Sequence, residues 1–417
     1  MAEPAPKPEA QVATTTLQFL QCLLQDVHPR NFAIELWGGT RWEPEKNQFH
    51  RFTWKIDRPD FLRNLLYSSN RQVALGEAYV RGDFDLIGDI EAVFPLVDAL
   101  IGKKWNLAEK LHLASLLRGI PSREHGNVPL LSGGHLSGKL HSKQRDQQAV
   151  RYHYDVSNDF FKLWLDDNML YSEAYFESAS DDLDTAQLRR MNRICSKLCL
   201  KPGERLIDIG CGWGGLMMHA AREYRVHVIG ITISPAQAEL AQNRIRDAGL
   251  GDRCEVRILD YRDMGELGFC DKLVSIGMIE HVGESNMGEY FARAYDSLRP
   301  GGVFLNSGIG RAGNRPKSDE RTFTDIYVFP DGDLVPIPTV LVHAEQAGFE
   351  VRSVDNLREH YARTTSYWRH RLEARAAEAK KIVGEERYRI WRLYLAGSTY
   401  YFDKARQGLY ETLLAKN

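Results

Sequence analysis

The chain has 417 residues, enough to bury a large core and to divide into two domains. A hydrophobic content of 43% with 10% aromatic residues excludes a disordered chain, and a formal charge of −2 excludes the overall basic footprint of a nucleic-acid binder. No apolar run approaches the roughly 18 residues of a membrane span, so any membrane contact is expected to be peripheral.

The opening MAEPAPKPEA is polar and rich in Pro and Ala. It reads as a disordered tail over residues 1–14, without the basic and apolar regions of a secretory signal. Residues 15–118 predict a small α+β domain. Within it, FAIELWGGTRWEPEKNQFHRFTWKI (32–56) alternates about a Gly-Gly turn and predicts a hairpin. The stretch from Arg58 to Ile101 carries apolar residues at helical spacing. Residues 119–148 are rich in Gly, Ser, His and Lys and read as a linker, leaving 149–417 as a larger domain. Cys22, Cys195, Cys199, Cys211, Cys254 and Cys270 show no ligand spacing for a metal. Cys195 and Cys199 are one turn apart and read as a helix core face, with thiols kept reduced.

After the linker, strands alternate with helices. Leu206–Ile209 is a strand running into DIGCGWGG, followed by the helix LMMHAAREY and the strand VHVIGITI. SPAQAELAQNRIRDAG reads as a helix with Ser234 at the N-cap and Pro235 at the first helical position. CEVRILD and DKLVSIG are strands, NMGEYFARAYDSL is a helix stopped by RPGG, and GVFLNSGI is a further strand. This alternation predicts an α/β fold, a parallel sheet with helices on both faces.

The run Asp208-Ile-Gly210-Cys-Gly212-Trp213-Gly214-Gly215 lies between a strand and a helix. There the backbone can approach a ligand at the carboxyl edge of the sheet. Asp208 would repel a pyrophosphate but suits a cationic amino acid. The next strand ends in Thr232 without an acid for a ribose. LDYRDM places Asp260 and Tyr261 where an adenine could be read. These features favour S-adenosylmethionine over a nicotinamide cofactor, with Thr232 and Gln237 replacing the usual ribose-binding acid.

RYHYDVSNDFFKLWLDDNMLYSEAYF, LIDIGCGWGG, VIGITIS, VSIGMIEHVG, FPDGDLVPIP and HYARTTSYW resemble, in order, the cyclopropane-fatty-acyl-phospholipid synthases. The likeness spans 150–417, and the N-terminal part is similar to that family's smaller domain. It implies a Rossmann-like class I methyltransferase sheet and transfer of a methyl from S-adenosylmethionine to a cis double bond of a phospholipid acyl chain. It also implies a cytoplasmic enzyme at the inner face of the membrane, with a homodimer allowed. Tyr171, Ser172, Gly210, Gly212, Trp213, Thr232 and Gln237 carry over as cofactor contacts; Gly214 and Ser234 complete the two loops that bear them. Glu280 and Tyr361 match the family's catalytic glutamate and tyrosine.

Members of the family hold a bicarbonate ion as the base, on a cysteine, a histidine, a backbone amide, and the Glu and Tyr just named. In this sequence the cysteine position is Glu173, the histidine position is Ser307, and the amide belongs to Ile309. One reading is a site that has lost its base. The sharper one places the Glu173 carboxylate where bicarbonate would sit, kept ionised by the neighbouring sulfonium. Ring closure and a methylene branch both remain open as products. So do two other functions: methylation of a soluble small molecule, and a non-catalytic lipid- or cofactor-binding relative.

His281 and His153 read as supporting residues, and Asp166–Asp167 as a solvated turn. Residues 322–338 are expected to belong to the acyl-chain channel or its lid. Residues 358–417 hold 13 Lys or Arg against 7 Asp or Glu, interleaved with Trp368 and Trp391. That pattern is compatible with an anionic bilayer surface.

Overall fold

The computed structural model describes residues 9–28, 30–45, 48–121, 136–314 and 320–417. Most of the expected linker (122–135) lies outside the described residues. Contacts divide the chain into two compact units, the smaller containing the N-terminal portion with 320–323 and 389–393.

The smaller unit opens with α1 (Glu9–Leu23), so the helix starts inside the stretch expected to be a tail. Its reason is an apolar face of Val12, Ala13, Phe19, Leu20 and Leu23, all buried. β1 (Phe32–Leu36) turns through Gly38 and Gly39 into β2 (Arg41–Trp42), its antiparallel partner. β3 (Phe52–Ile56) lies on the other side of β1 and runs parallel to it, Ile34 beside Trp54. The expected hairpin therefore covers only β1 and β2. After α2 (Phe61–Tyr67) and α3 (Arg71–Arg81) comes β4 (Phe84–Gly88), which completes the order β2-β1-β3-β4. β4 falls within the stretch read as helical; Phe84 and Leu86 alternate inward, a period too short to register between two helices. α4 (Phe94–Gly102) and α5 (Leu107–Leu117) follow. Stacked and edge-on rings of Phe32, Phe52, Trp54, Phe61, Tyr79 and Phe84 fill the core.

The larger unit begins with α6 (Lys143–Tyr154), so the end of the expected linker is helical. α7 (Asn158–Lys162) and α8 (Leu183–Lys197) precede the first strand. Then β5 (Arg205–Ile209), α9 (Gly215–Glu223), β6 (His227–Thr232), α10 (Pro235–Asp247), β7 (Cys254–Ile258) and β8 (Cys270–Ile276) alternate as expected. α11 (Ile279–Val282), α12 (Met287–Ser297) and β9 (Leu298–Arg311) come next. The chain closes with α13 (Phe323–Tyr327), α14 (Ile337–Gln346), β10 (Glu350–Asn356), α15 (Arg358–Ala374), α16 (Ala376–Asp403, broken at Gly384) and β11 (Gln407–Ala415).

The seven strands run β10-β11-β9-β8-β5-β6-β7. β7, β6, β5, β8 and β9 are parallel, whereas β11 pairs antiparallel with both β9 and β10. One apolar layer, including Phe291, Phe304 and Phe349, packs on one face; a second, including Met217, Ile194 and Ala241, covers the other. The order reverses at β5, whose two neighbours, β6 and β8, follow it on opposite sides. The crevice beyond its carboxyl end is the place where open α/β sheets bind ligands.

Candidate active site

An open cavity occupies that crevice, about 1170 Å³ with its mouth to solvent included. One end is the glycine loop after β5. Gly210 adopts φ +85°, a left-handed backbone closed to most side chains, and a Cβ on it would come within 3.2 Å of Met278. Asp208 is buried with no cation paired to it among the described residues, and burial pushes its carboxyl up to about 7. Such a group is most stable opposite a positive charge.

The loop after β6 is built by capping. Ser234 Oγ accepts from Gln237 N at 3.1 Å and donates to Asp155 at 2.7 Å, and the Thr232 hydroxyl donates to Gln237 Oε1 at 2.7 Å. Asp208, Gly210, Gly212, Trp213, Thr232 and Gln237 line the cavity, as do Tyr171, Ser172, Asp260 and Tyr261. Gly214 and Ser234 do not: Gly214 starts α9 in a left-handed turn and Ser234 is spent on its cap, so both shape the wall from behind. The Asp260 carboxylate, expected to face an adenine, is engaged by Arg262, which reaches on to Asp146 at 2.8 Å.

The YSEAYF stretch is an irregular loop outside the sheet. Its backbone is pinned from three sides: Ala174 N donates to Thr364 Oγ1 at 3.0 Å, Tyr175 N to Ala186 O at 3.0 Å, and Phe176 N to His360 Nδ1 at 3.1 Å. Asp166, expected to be solvated, is buried and accepts from Asn168 N and Leu170 N, which fixes the turn entering this loop. Tyr171 is thereby held among the rings of Tyr154, Phe161, Trp164 and Trp368, and its hydroxyl donates to Tyr394 at 3.4 Å. Trp213 packs on Phe161 and Tyr154, and its indole N–H donates to Asn158 at 2.8 Å. Aromatic faces beside an unpaired acid suit a ligand with two positive centres, an ammonium and a sulfonium. The donor set therefore fits S-adenosylmethionine.

The five expected catalytic residues do not line this cavity; they form a cluster of their own. Ser307 Oγ donates to Glu173 Oε1 at 3.1 Å, and Ile309 N donates to Glu280 Oε1 at 2.6 Å. Gly308 between them makes room: a Cβ there would lie 2.2 Å from Ile279 Cγ2 and 3.4 Å from Glu280 Oε2. Glu280 Oε2 is buried without a hydrogen-bond partner, and burial pushes this carboxyl up to about 7. Tyr361 is buried, and its phenol is held protonated by burial and by the negative charge of Glu173 and Glu280.

Arg190 of α8, absent from the sequence expectations, ion-pairs with Glu173 and also with Glu411 of β11, while itself lining the cavity. The cation touching Glu173 is thus supplied by the chain, where a sulfonium had been expected. A sequence signal exists. Arg190 sits on the stripe Leu183, Ala186, Gln187, Met191, Ile194 and Cys195, which α8 buries, and an Arg on an apolar stripe asks for a buried acid.

His153 Nδ1 bonds Val328 O at 2.8 Å, His281 packs on Phe329 at 4.2 Å, and burial pulls their imidazoles down to about 4 and about 3, so both are neutral supports. Asp333 N donates to Glu280 O at 2.9 Å, so the 324–336 stretch is tied to the backbone of the Glu280 loop. Trp368 and Trp391 are buried, so neither indole ring is offered to a bilayer surface over 358–417. No helix among the described residues is long and apolar enough to cross a membrane.

The sheet order, the crevice and its donor set define a class I S-adenosylmethionine-dependent methyltransferase. Residues 141–411 match the mycolic acid cyclopropane synthetase family. The chain is 38% identical to a probable fatty acid methyltransferase of Pseudomonas putida, covering 94% of this chain and 93% of that one. It is 33% identical to the cyclopropane-fatty-acyl-phospholipid synthase of Escherichia coli K12, over 82% of each. The crystal structure of the mycolic acid cyclopropane synthase CmaA1 complexed with SAH and CTAB superposes with a TM-score of 0.61 at 32% identity, covering 64% of this chain and 97% of that one. The chain belongs to this cyclopropane synthase family of methyltransferases acting on lipid acyl chains.

Proposed function

We propose that the protein methylates a cis double bond in the acyl chain of an unsaturated phospholipid, working from the membrane surface, with Glu173 as the base that completes the reaction. The observation that carries this reading is the buried Glu173 carboxylate, bonded by Ser307 and beside Glu280 and Tyr361.

S-adenosylmethionine would supply an electrophilic methyl on a sulfonium, with the neutral thioether as leaving group. Asp208 would hold its ammonium, and Tyr171 and Trp213 would offer ring faces to the sulfonium. Tyr154, Tyr171 and Tyr361 exclude water and face the positive charge left on the acyl chain once the alkene electrons have bonded the methyl carbon. Glu173 then takes a proton from that methyl. The C–H electron pair closes the third ring bond, and the proton passes to solvent. Burial favours the protonated form of Glu173, which makes it a stronger base than a solvated carboxylate.

A second product has its own support. Glu173 is fixed to Arg190, so its reach along the acyl chain is set by the protein. A 1,2-hydride shift that moves the cation onto the methyl-bearing carbon, followed by removal of a proton from that methyl, would leave a methylene branch. Incubation with labelled S-adenosylmethionine and vesicles of cis-unsaturated phospholipid, followed by mass and NMR analysis of the acyl product, separates ring from branch. Label confined to a soluble acceptor, or no S-adenosylhomocysteine at all, would refute the proposal.

A further inference from the structure

The charges behind Glu173 run in a line from the cavity to the sheet edge. Arg190 and Glu411 are both fully buried, and Glu411 lies opposite Ser307, the serine that holds Glu173, in the β9–β11 register. Glu411 pairs in turn with Lys197 at 2.7 Å and faces Arg193 at 3.7 Å; both of these cations reach Asp355 on β10.

One guanidinium thus serves two buried carboxylates. Replacing such a cluster by apolar residues is often neutral for stability, so its presence next to a reacting group calls for another reason. We propose that Arg190 is a positioning residue that sets the orientation and proton affinity of Glu173, and that Glu411 and Lys197, which do not line the cavity, tune it through Arg190. The inference rests on Glu173 being the base.

The groups acting on Glu173 are Arg190 from α8, Glu411 from β11, Ser307 from β9, Glu280 from α11 and Tyr361 from α15. Burial opposes ionisation of Glu411, yet Arg190 and Lys197 hold it down to about 2, so it remains charged throughout the working range. Its fixed negative charge offsets the pull of Arg190 on Glu173. Deleting that charge lets Arg190 act on Glu173 alone and lowers the proton affinity of Glu173. Deleting Lys197 removes positive charge and raises it.

The test is an infrared pH titration of the carboxylic-acid band that Glu173→Gln removes, carried out on the full chain with S-adenosylhomocysteine bound. Its midpoint should move down by about one pH unit in Glu411→Gln and up by a smaller step in Lys197→Met. If Glu411→Gln does not fold, the upward step in Lys197→Met, with melting and cofactor binding retained, carries the test. A midpoint that stays still, shifts in the same direction in both variants, or is absent overturns the coupling. A Glu173→Gln enzyme with full methyl transfer instead overturns the role of Glu173 as base, whatever the titration gives.

Discussion

The two ends of the site are made in different ways. The cofactor end draws on two short loops, 208–215 and 232–237, and on backbone geometry that a few glycines and one cap dictate. Asp208, unlike Asp260, has no cation paired to it among the described residues, which leaves it open to a cationic ligand. The end proposed to handle the proton gathers Glu173, Arg190, Glu280, Ser307, Tyr361 and Glu411 from six separate segments, and Glu173 and Glu411 there already share a cation. A site that binds a charged ligand can leave its own charge unpaired. One that moves a proton through a dry interior must hold its charges in balance before the substrate arrives.

Exchanging the charge at each end should therefore have different consequences. Glu173→Gln and Glu280→Gln are expected to lower methyl transfer by about 10²–10⁴-fold while leaving S-adenosylmethionine binding within a few-fold of wild type, as read by product formation and calorimetry. Retained turnover in either variant would break the division. Asp208→Asn should act on the other quantity, raising the Kd for S-adenosylmethionine on the order of 10- to 100-fold, with smaller loss at saturating cofactor.

The pH dependence of stability sharpens the contrast. The folded Glu280 carboxyl titrates at about 7, above its ordinary value of 4.5. Its contribution to stability is complete below 4.5 and is lost as pH rises through 7. Glu280→Gln carries no such loss. Its melting temperature relative to wild type should rise between pH 5 and pH 8, by the equivalent of up to about 3 kcal/mol. A constant difference across that range would contradict the burial of an ionisable Glu280. The smallest effect is steric: Gly308→Ala places a methyl against Ile279 and should cost about 1–2 kcal/mol in denaturant unfolding, with a further loss of turnover from displacing Glu280.

The cofactor end was legible in the sequence because its determinants are contiguous: a strand, a glycine turn and a capped helix leave a local pattern. Ser234 caps α10 as its spacing suggests, and Thr232 and Gln237, bonded to each other, lie in the cavity wall. The proton-handling end was legible only through resemblance, which pointed to Glu173, Ser307 and Ile309. Nothing local couples Arg190 to Glu411, 221 positions away in the chain. What the sequence does carry is each residue's anomaly, an Arg on the buried stripe of α8 and a Glu among the apolar residues of β11. β4 and the parallel β1–β3 pairing escaped for a related reason: strand order and direction depend on partners distant in the chain.

The central claim is that a protein carboxylate has replaced an ion. Methyl transfer measured in carbonate-free buffer under an inert atmosphere tests it most directly. Turnover should be unchanged when bicarbonate is withdrawn or added back; a loss of activity that bicarbonate restores would contradict the account.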